Sequence, residues 1–188
     1  MTAIRGIYKP LGLDRYELCH PVDDRDFERI HVEINGERRS GQWRPLRMKL
    51  ICEDEGKELR RSDSPWLGSH ALILRPEAAQ LLGPTLLSHG ELLPLSCSEP
   101  LVIYNPTDVI DGVDEANSRV TRFSTGGIIM FHRYVFVASL VAQADIFKIP
   151  NLRVSPTFVS HRFVDQWNAL GLKGLEFVRV WDAPSTQD

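Results

Sequence analysis

The chain has 188 residues, a mass of 21.4 kDa and a formal net charge of −3. A chain of this size buries roughly 70% of its extended surface in one core, so it needs no covalent staples. Its three cysteines are widely separated and lack C-x-x-C spacing, which argues against a disulfide framework and a zinc ribbon. No apolar segment is typical of a signal peptide or a membrane span, so we expect a cytoplasmic protein without a membrane partner.

The first predicted element is a hairpin over residues 29–51. Apolar residues alternate with polar ones on both sides of the turn signal Asn35-Gly36, as in strands with one buried face. The alternating residues are Ile30, Val32 and Ile34 before the turn and Leu46, Met48 and Leu50 after it.

Two later segments share a pattern of a β-prone run, a helix-sized apolar stripe, a glycine and a second apolar run. In the first, Leu72–Leu74 is the run, Pro76 suits the first helical position and Gly83-Pro84 ends the helix. In the second, Ser160 is a preferred N-cap residue and Gly171 ends the helix. The pattern predicts two similar strand–helix–strand units. They reflect either an internal duplication or the general frequency of such units in α+β proteins.

Between these units the sequence predicts short strands and one short connection. The strands are Leu101–Tyr104, Tyr134–Val137 and Ile146–Ile149, and Ala138–Ala144 is a helical turn or a tight connection. Many short strands and few helices predict an α+β fold with a mostly antiparallel or mixed sheet. No linker or low-complexity tract interrupts the chain, so we expect one domain over residues 1–188.

Several segments resemble one family of bacterial proteins. They are S62DSPWLGSHALILRPEAAQLL, G90ELLPL, D111GVDEANS, A144DIFKIP and V159SHRFVDQWNALGLKGLEF. In this order they are similar to immunity proteins of bacterial polymorphic toxin systems, most closely immunity family eleven. The similarity extends over about residues 40–181, whereas residues 1–40 fit poorly. It implies a cytoplasmic protein that neutralises a cognate toxin by binding it, and it leaves the toxin unidentified.

Charge is distributed unevenly along the chain. Residues 62–118 carry eight acidic residues against the single cation Arg75. A block of one sign attracts partners of opposite charge and repels nucleic acid, which favours a basic protein partner such as a toxin that itself binds nucleic acid. The plainer interpretation is that these acids are simply solvated.

The densest acidic stretch is T107DVIDGVDEANS. Its spacing, D-x-x-D-x-x-D-E, does not supply the ligand positions of an EF-hand loop, so we predict no metal site. The acids either cap a turn or form an interface loop. We take Asp108, Asp111, Asp114 and Glu115 as candidates for binding a partner.

Two tryptophans are further candidates. Trp43 and Trp66 stand beside prolines in loop-like sequence. A large aromatic residue there either plugs the core or anchors an interface.

Motifs for catalysis and for cofactor binding are missing from the sequence. His89 and Cys97 would act as base and nucleophile only if a turn brought them together. We therefore expect a non-enzymatic protein with no cofactor and a toxin as its partner. The alternative is a small enzyme or ligand-binding domain with its site in a cleft between the two units.

Overall fold

The computed structural model describes residues 4–184, which form thirteen strands and five helices. The strands are β1 Gly6–Gly12, β2 Leu18–Pro21, β3 Met48–Ile51, β4 Glu53–Asp54, β5 Lys57–Glu58, β6 Leu72–Leu74, β7 Gly90–Pro94, β8 Val102–Pro106, β9 Arg119–Arg122, β10 Ile128–Arg133, β11 Ile146–Phe147, β12 Phe158–Ser160 and β13 Leu175–Asp182. The helices are α1 Asp26–Glu33, α2 Pro76–Leu81, α3 Gly83–His89, α4 Ala138–Val141 and α5 His161–Ala169. None of the helices within residues 4–184 is long and apolar enough to cross a bilayer. The α+β class is confirmed.

The second unit lies in a four-stranded sheet with the order β11-β12-β1-β13. Strands β12 and β13 both pair antiparallel with β1, so they run parallel to each other with β1 between them. Helix α5 connects them, and its N-cap Ser160 accepts hydrogen bonds from the amides of Arg162 and Phe163. Gly171 follows the helix at φ +69°, a backbone conformation that favours glycine. The predicted cap and helix end are confirmed.

The first unit has the same topology in a three-stranded sheet with the order β6-β8-β7. Strands β6 and β7 are both antiparallel to β8, and helices α2 and α3 connect them. Here the middle strand follows the unit in the chain, whereas in the second unit it comes from the N-terminus. The likeness of the two units is therefore confirmed in their topology, with middle strands of different origin.

Side chains from both units form one buried cluster. Leu74, Leu86 and Tyr104 of the first sheet and its helices pack with Phe163 and Trp167 of helix α5. A second, aromatic cluster underlies β9, β10 and β11 and contains Phe131, Phe136, Phe147, Phe158 and Trp181. A third, which we call the N-terminal cluster, contains Cys19, Ile30, Met48, Ile73 and Ile103.

The hairpin predicted over residues 29–51 is wrong in its first half. Residues 26–33 form helix α1, in which Ile30 is buried, and Ile34 lies four residues later on the same face. Val32, which an alternating strand would bury, is 52% exposed. Apolar residues four apart in the sequence fit both a strand and a helix. The exposure of Val32 distinguishes the helix from the strand. The returning strand exists as β3 but pairs with β2.

Two other predicted boundaries are met only in part. Helix α2 ends at Leu81, just before Gly83-Pro84 as predicted, but Gly83-Pro84 then begins helix α3, because proline suits a first helical turn. The strand predicted at Tyr134–Val137 lies earlier, at β10, and Phe136 makes only an isolated bridge with Val113.

The guanidinium of Arg75 is a buried charge that links other segments of the chain to the first unit. Its side chain is 2% exposed and donates to Glu17 Oε2 at 2.7 Å, to the Ser62 carbonyl at 2.8 Å and to Glu99. Glu17 Oε2 also accepts from the Ser62 amide at 2.9 Å. A buried charge is stable only when it is paired and hydrogen-bonded. The segments carrying these four residues therefore have to assemble together.

We predict that Glu17→Gln lowers the free energy of unfolding by about 3 kcal/mol, the lower end for breaking a buried pair, because Glu99 still faces the guanidinium. Urea denaturation at neutral pH measures this. The control Asp165→Asn breaks an ion pair with Arg5 in which both side chains are 64% exposed, and the midpoint should barely move. Equal, small effects of the two substitutions would contradict the role given to Arg75.

Candidate functional site

The acidic loop, defined as residues 107–118, connects β8 to β9 and is held by backbone hydrogen bonds at several points. The Lys148 amide donates to the Asp108 carbonyl, and the Ile110 amide donates to the Lys148 carbonyl, both at 2.8 Å. Further along, the Asp114 amide donates to the Val135 carbonyl at 2.8 Å. The loop is therefore held in one conformation by the strands and turns beneath it.

Asp108 is bonded to the last residue of helix α3. His89 Nδ1 lies 2.7 Å from Asp108 Oδ2, and the Asp145 amide donates to His89 Nε2 at 3.4 Å. Since Nε2 accepts, the hydrogen-bond network assigns the proton to Nδ1, which donates to Asp108. The base–nucleophile pair of His89 and Cys97 is wrong, because the imidazole contacts these two aspartates while Cys97 Sγ lies 3.9 Å from Ser98 Oγ.

Asp114 and Glu115 hold the second half of the acidic loop. Asp114 accepts from the side chain of Asn117 at 2.7 Å and from its amide at 3.1 Å. Glu115 accepts from Arg122 at 2.5 Å and from Asn151 at 2.7 Å. The bonds from Asn117 and from Arg122, respectively, are the main reason that the pKa of each carboxyl is lowered from its usual value.

Asp111 differs from the other three loop acids. It is exposed, and among the contacts described for residues 4–184 its side chain has no hydrogen bond or ion pair. It is the loop acid best placed to meet a partner.

The acids of residues 62–118 do not share one exposed face. Asp63 accepts from the Lys173 amide at 2.7 Å, and Glu91 is buried and accepts from the Arg39 amide at 2.6 Å. Glu99 and three of the four loop acids are also bonded, so Glu77 and Asp111 are the exposed acids of the segment. Within residues 4–184, no group of three or more His, Cys, Asp or Glu residues could hold a metal ion. Most of the charge that suggested a basic partner is thus engaged in internal bonds.

Lys148 supports the acidic loop from beneath, and the sequence reasoning did not single it out. It is 2% exposed, and its Nζ donates to the carbonyls of His70 at 2.7 Å and Ser155 at 3.0 Å. Because neutral carbonyls only partly offset the loss of water, burial lowers the pKa of Lys148 to about 7. The sequence signal that could have identified Lys148 is a lysine within the otherwise apolar run Ile146–Ile149.

The two candidate tryptophans lie apart from the acidic loop. Trp43 is half-buried against the N-terminal cluster, and its Nε1 donates to the Pro94 carbonyl at 2.7 Å. Trp66 packs at the edge of the cluster shared by the two units, beside Gly12. The structure thus brings the four acids into one loop but places each tryptophan in a different region.

A pocket of about 670 Å³ lies beside Trp66, between the β1–β2 connection and the β4–β5 hairpin. Tyr16, Asp54, Lys57 and Arg60 are among the residues that line it. The junction of the two units, where an enzyme-like cleft was the alternative, is instead occupied by the shared buried cluster.

We predict that Lys148 makes stability depend on pH above neutrality. Its folded pKa of about 7 lies below the ordinary value of 10.5, so the unfolded chain binds more protons between these values and stability rises with pH across that window. In urea denaturation, the stability of the parent relative to Lys148→Met should therefore increase from about pH 7 to about pH 10. Lys49→Met, at an exposed position, is the control and should show no such trend. A difference between parent and Lys148→Met that stays constant with pH would contradict the buried charge.

Comparison with known proteins gives a match over part of the chain. A family model described as Immunity protein family (Imm11) matches residues 99–182. That range contains the acidic loop and the second unit, and it is shorter than the 40–181 inferred from the motifs. No curated protein matches the chain. Residues 99–182 therefore match the immunity protein family Imm11, which confirms the resemblance that the sequence motifs indicated.

Proposed function

We propose that this protein is a cytoplasmic immunity protein that neutralises a cognate bacterial toxin by direct, stoichiometric binding. The observation that carries the proposal is the match of residues 99–182 to the immunity family. The matched range contains the acidic loop, β9, β10 and the complete second unit. A surface built from these elements is the natural place for the toxin to bind.

The roles of the reactive side chains support binding over catalysis. His89 is bonded to Asp108, and the Nζ of Lys148 is used by two backbone carbonyls. Cys19 is fully buried, and burial raises the pKa of its thiol to about 12. These groups stabilise the fold, and an inhibitor that binds a toxin needs no reactive group of its own.

The acidic loop remains our first candidate for the contact. Asp108, Asp114 and Glu115 are used to hold the loop, so their part in binding is to preorganise it, which lowers the entropy lost on association. Asp111 would face the partner, and a basic toxin surface would suit it. The exposed faces of Trp43 and Trp66 are the next candidates.

We predict that purified protein inhibits the toxin at about one molecule per toxin, because inhibition by occupancy saturates when every toxin is bound. The measurement is a titration of the activity of the C-terminal domain of the toxin encoded beside this gene. Cys97→Ser should titrate identically, since inhibition by binding needs no nucleophile and the Cys97 sulfur is engaged with the Ser98 hydroxyl and with Cys19. Complete inhibition at strongly substoichiometric amounts would show turnover and contradict the proposal.

A further inference from the structure

The hairpin of β9 and β10 stands apart from the larger sheets. Within the part of the chain that the structure describes, its two strands pair only with each other, so neither outer edge is paired with another strand there. Ile128 and Phe131 fix it to the aromatic cluster, where they are 9% and 8% exposed. Irregularities in the pairing between Ile128 and Met130 and between Phe131 and Arg133 interrupt the alternation of side chains between the two faces.

The outer side of this hairpin exposes apolar side chains that the core does not use. Phe123 is 57% exposed, Ile129 45% and Met130 49%. They line a groove of about 410 Å³ whose other wall includes Leu152 and Pro156. Single exposed apolar residues are ordinary, but a contiguous group beside a free strand edge promotes association. The hairpin is therefore suited to being covered by another molecule.

The hairpin is also positively charged. Residues 116–144 contain three arginines and no acidic residue. Arg119 and Arg133 are exposed and directly opposite each other in the strand pairing. Like charges in that arrangement destabilise a hairpin, and an anionic group placed between them would relieve the repulsion. Lys9 lines the adjoining groove and adds to its positive charge, whereas Arg153, which also lines it, is paired with Glu28.

The β4–β5 hairpin provides a comparison within the same chain. It also opposes like charges, at Glu53 and Glu58, but its residues are exposed and polar. A pocket adjoins each hairpin, so the combination of like charge with exposed apolar side chains is what distinguishes β9–β10 from it.

We infer that the β9–β10 hairpin and its groove form the docking surface for an acidic segment of the toxin, with an apolar side chain of that segment in the groove. This inference rests on the proposed function. Carboxylates of the segment would lie between Arg119 and Arg133, and its apolar residue would pack against Phe123, Ile129 and Met130. A protein partner fits better than nucleic acid, because the groove is apolar and the chain as a whole carries a net charge of −3.

The test measures association and dissociation rates of the immunity protein with an inactivated C-terminal domain of the toxin encoded beside its gene. Arg119→Glu should slow association about tenfold at low ionic strength, with a smaller effect at high salt. The same substitution places opposite charges across from each other at Arg133, so thermal stability should be unchanged or higher. Met130→Ser should speed dissociation about tenfold.

Two control variants make the result specific to this surface. Lys57→Glu makes the same charge change on the β4–β5 hairpin and should leave both rates unchanged. Glu77→Lys makes the opposite change at an exposed acid outside the acidic loop and should not slow association to an acidic segment.

Each contrary outcome is distinguishable. If the parent protein does not bind the toxin domain, the proposed function fails and this inference fails with it. If the parent binds and both hairpin variants bind equally well, the function stands and the hairpin is not the docking surface. If Asp111→Lys slows association while Arg119→Glu does not, the partner surface is basic and the inference is overturned. Binding of a short single-stranded DNA oligonucleotide that Arg119→Glu abolishes would overturn it in favour of a nucleic-acid ligand.

Discussion

The buried guanidinium of Arg75 is the constraint on which the remaining architecture depends. It lies between β6 and α2 and is bonded to Glu17, Ser62 and Glu99, which come from three other segments. Removing any one of these partners leaves the buried guanidinium incompletely paired, which is destabilising. Glu99 lies shortly before β8, so the same interaction helps to position the strand from which the acidic loop and the β9–β10 hairpin continue.

The two units then depend on each other and on the N-terminal strand. Their helices and strands bury one common cluster, so neither unit can cover its apolar face alone. The middle strand of the second unit is β1, residues 6–12, which lies outside the range matched by the family model. A fragment starting near residue 99 would lack the strand that joins β12 to β13. The N-terminal residues, which fit the family motifs poorly, therefore complete the sheet of the matched region.

Local signals in the sequence were sufficient for elements with a distinctive chemical boundary. Ser160 and Gly171 defined helix α5, because a cap and a positive φ each need particular residue types. Helix α1 was missed because Ile30 and Ile34 fit two periodicities, and only tertiary packing decides between them. Charge counts located the acidic loop but could not show that its acids are bonded, Asp114 by the nearby Asn117 and Asp108 and Glu115 by His89 and Asn151, which are more distant in sequence. The β9–β10 hairpin was missed because its irregular pairing breaks the alternation that identifies a strand.

The acidic loop and the hairpin form a single electrostatic unit, because Glu115 binds Arg122 and Arg133 donates to the Asn117 carbonyl. Asp108, Asp114 and Glu115 lie half-buried in such bonds, while Arg119 and Arg133 are exposed on the hairpin. The negative charges are thus held on the loop and the positive charges are exposed on the hairpin, so the electrostatic potential differs between these two parts of the surface. Since Phe123, Ile129 and Met130 contribute little to the core, substitutions there can change the choice of partner at small cost in stability. For the proposed immunity function this separation is useful, because specificity for a toxin can vary while the network around Arg75 and the shared cluster stays the same.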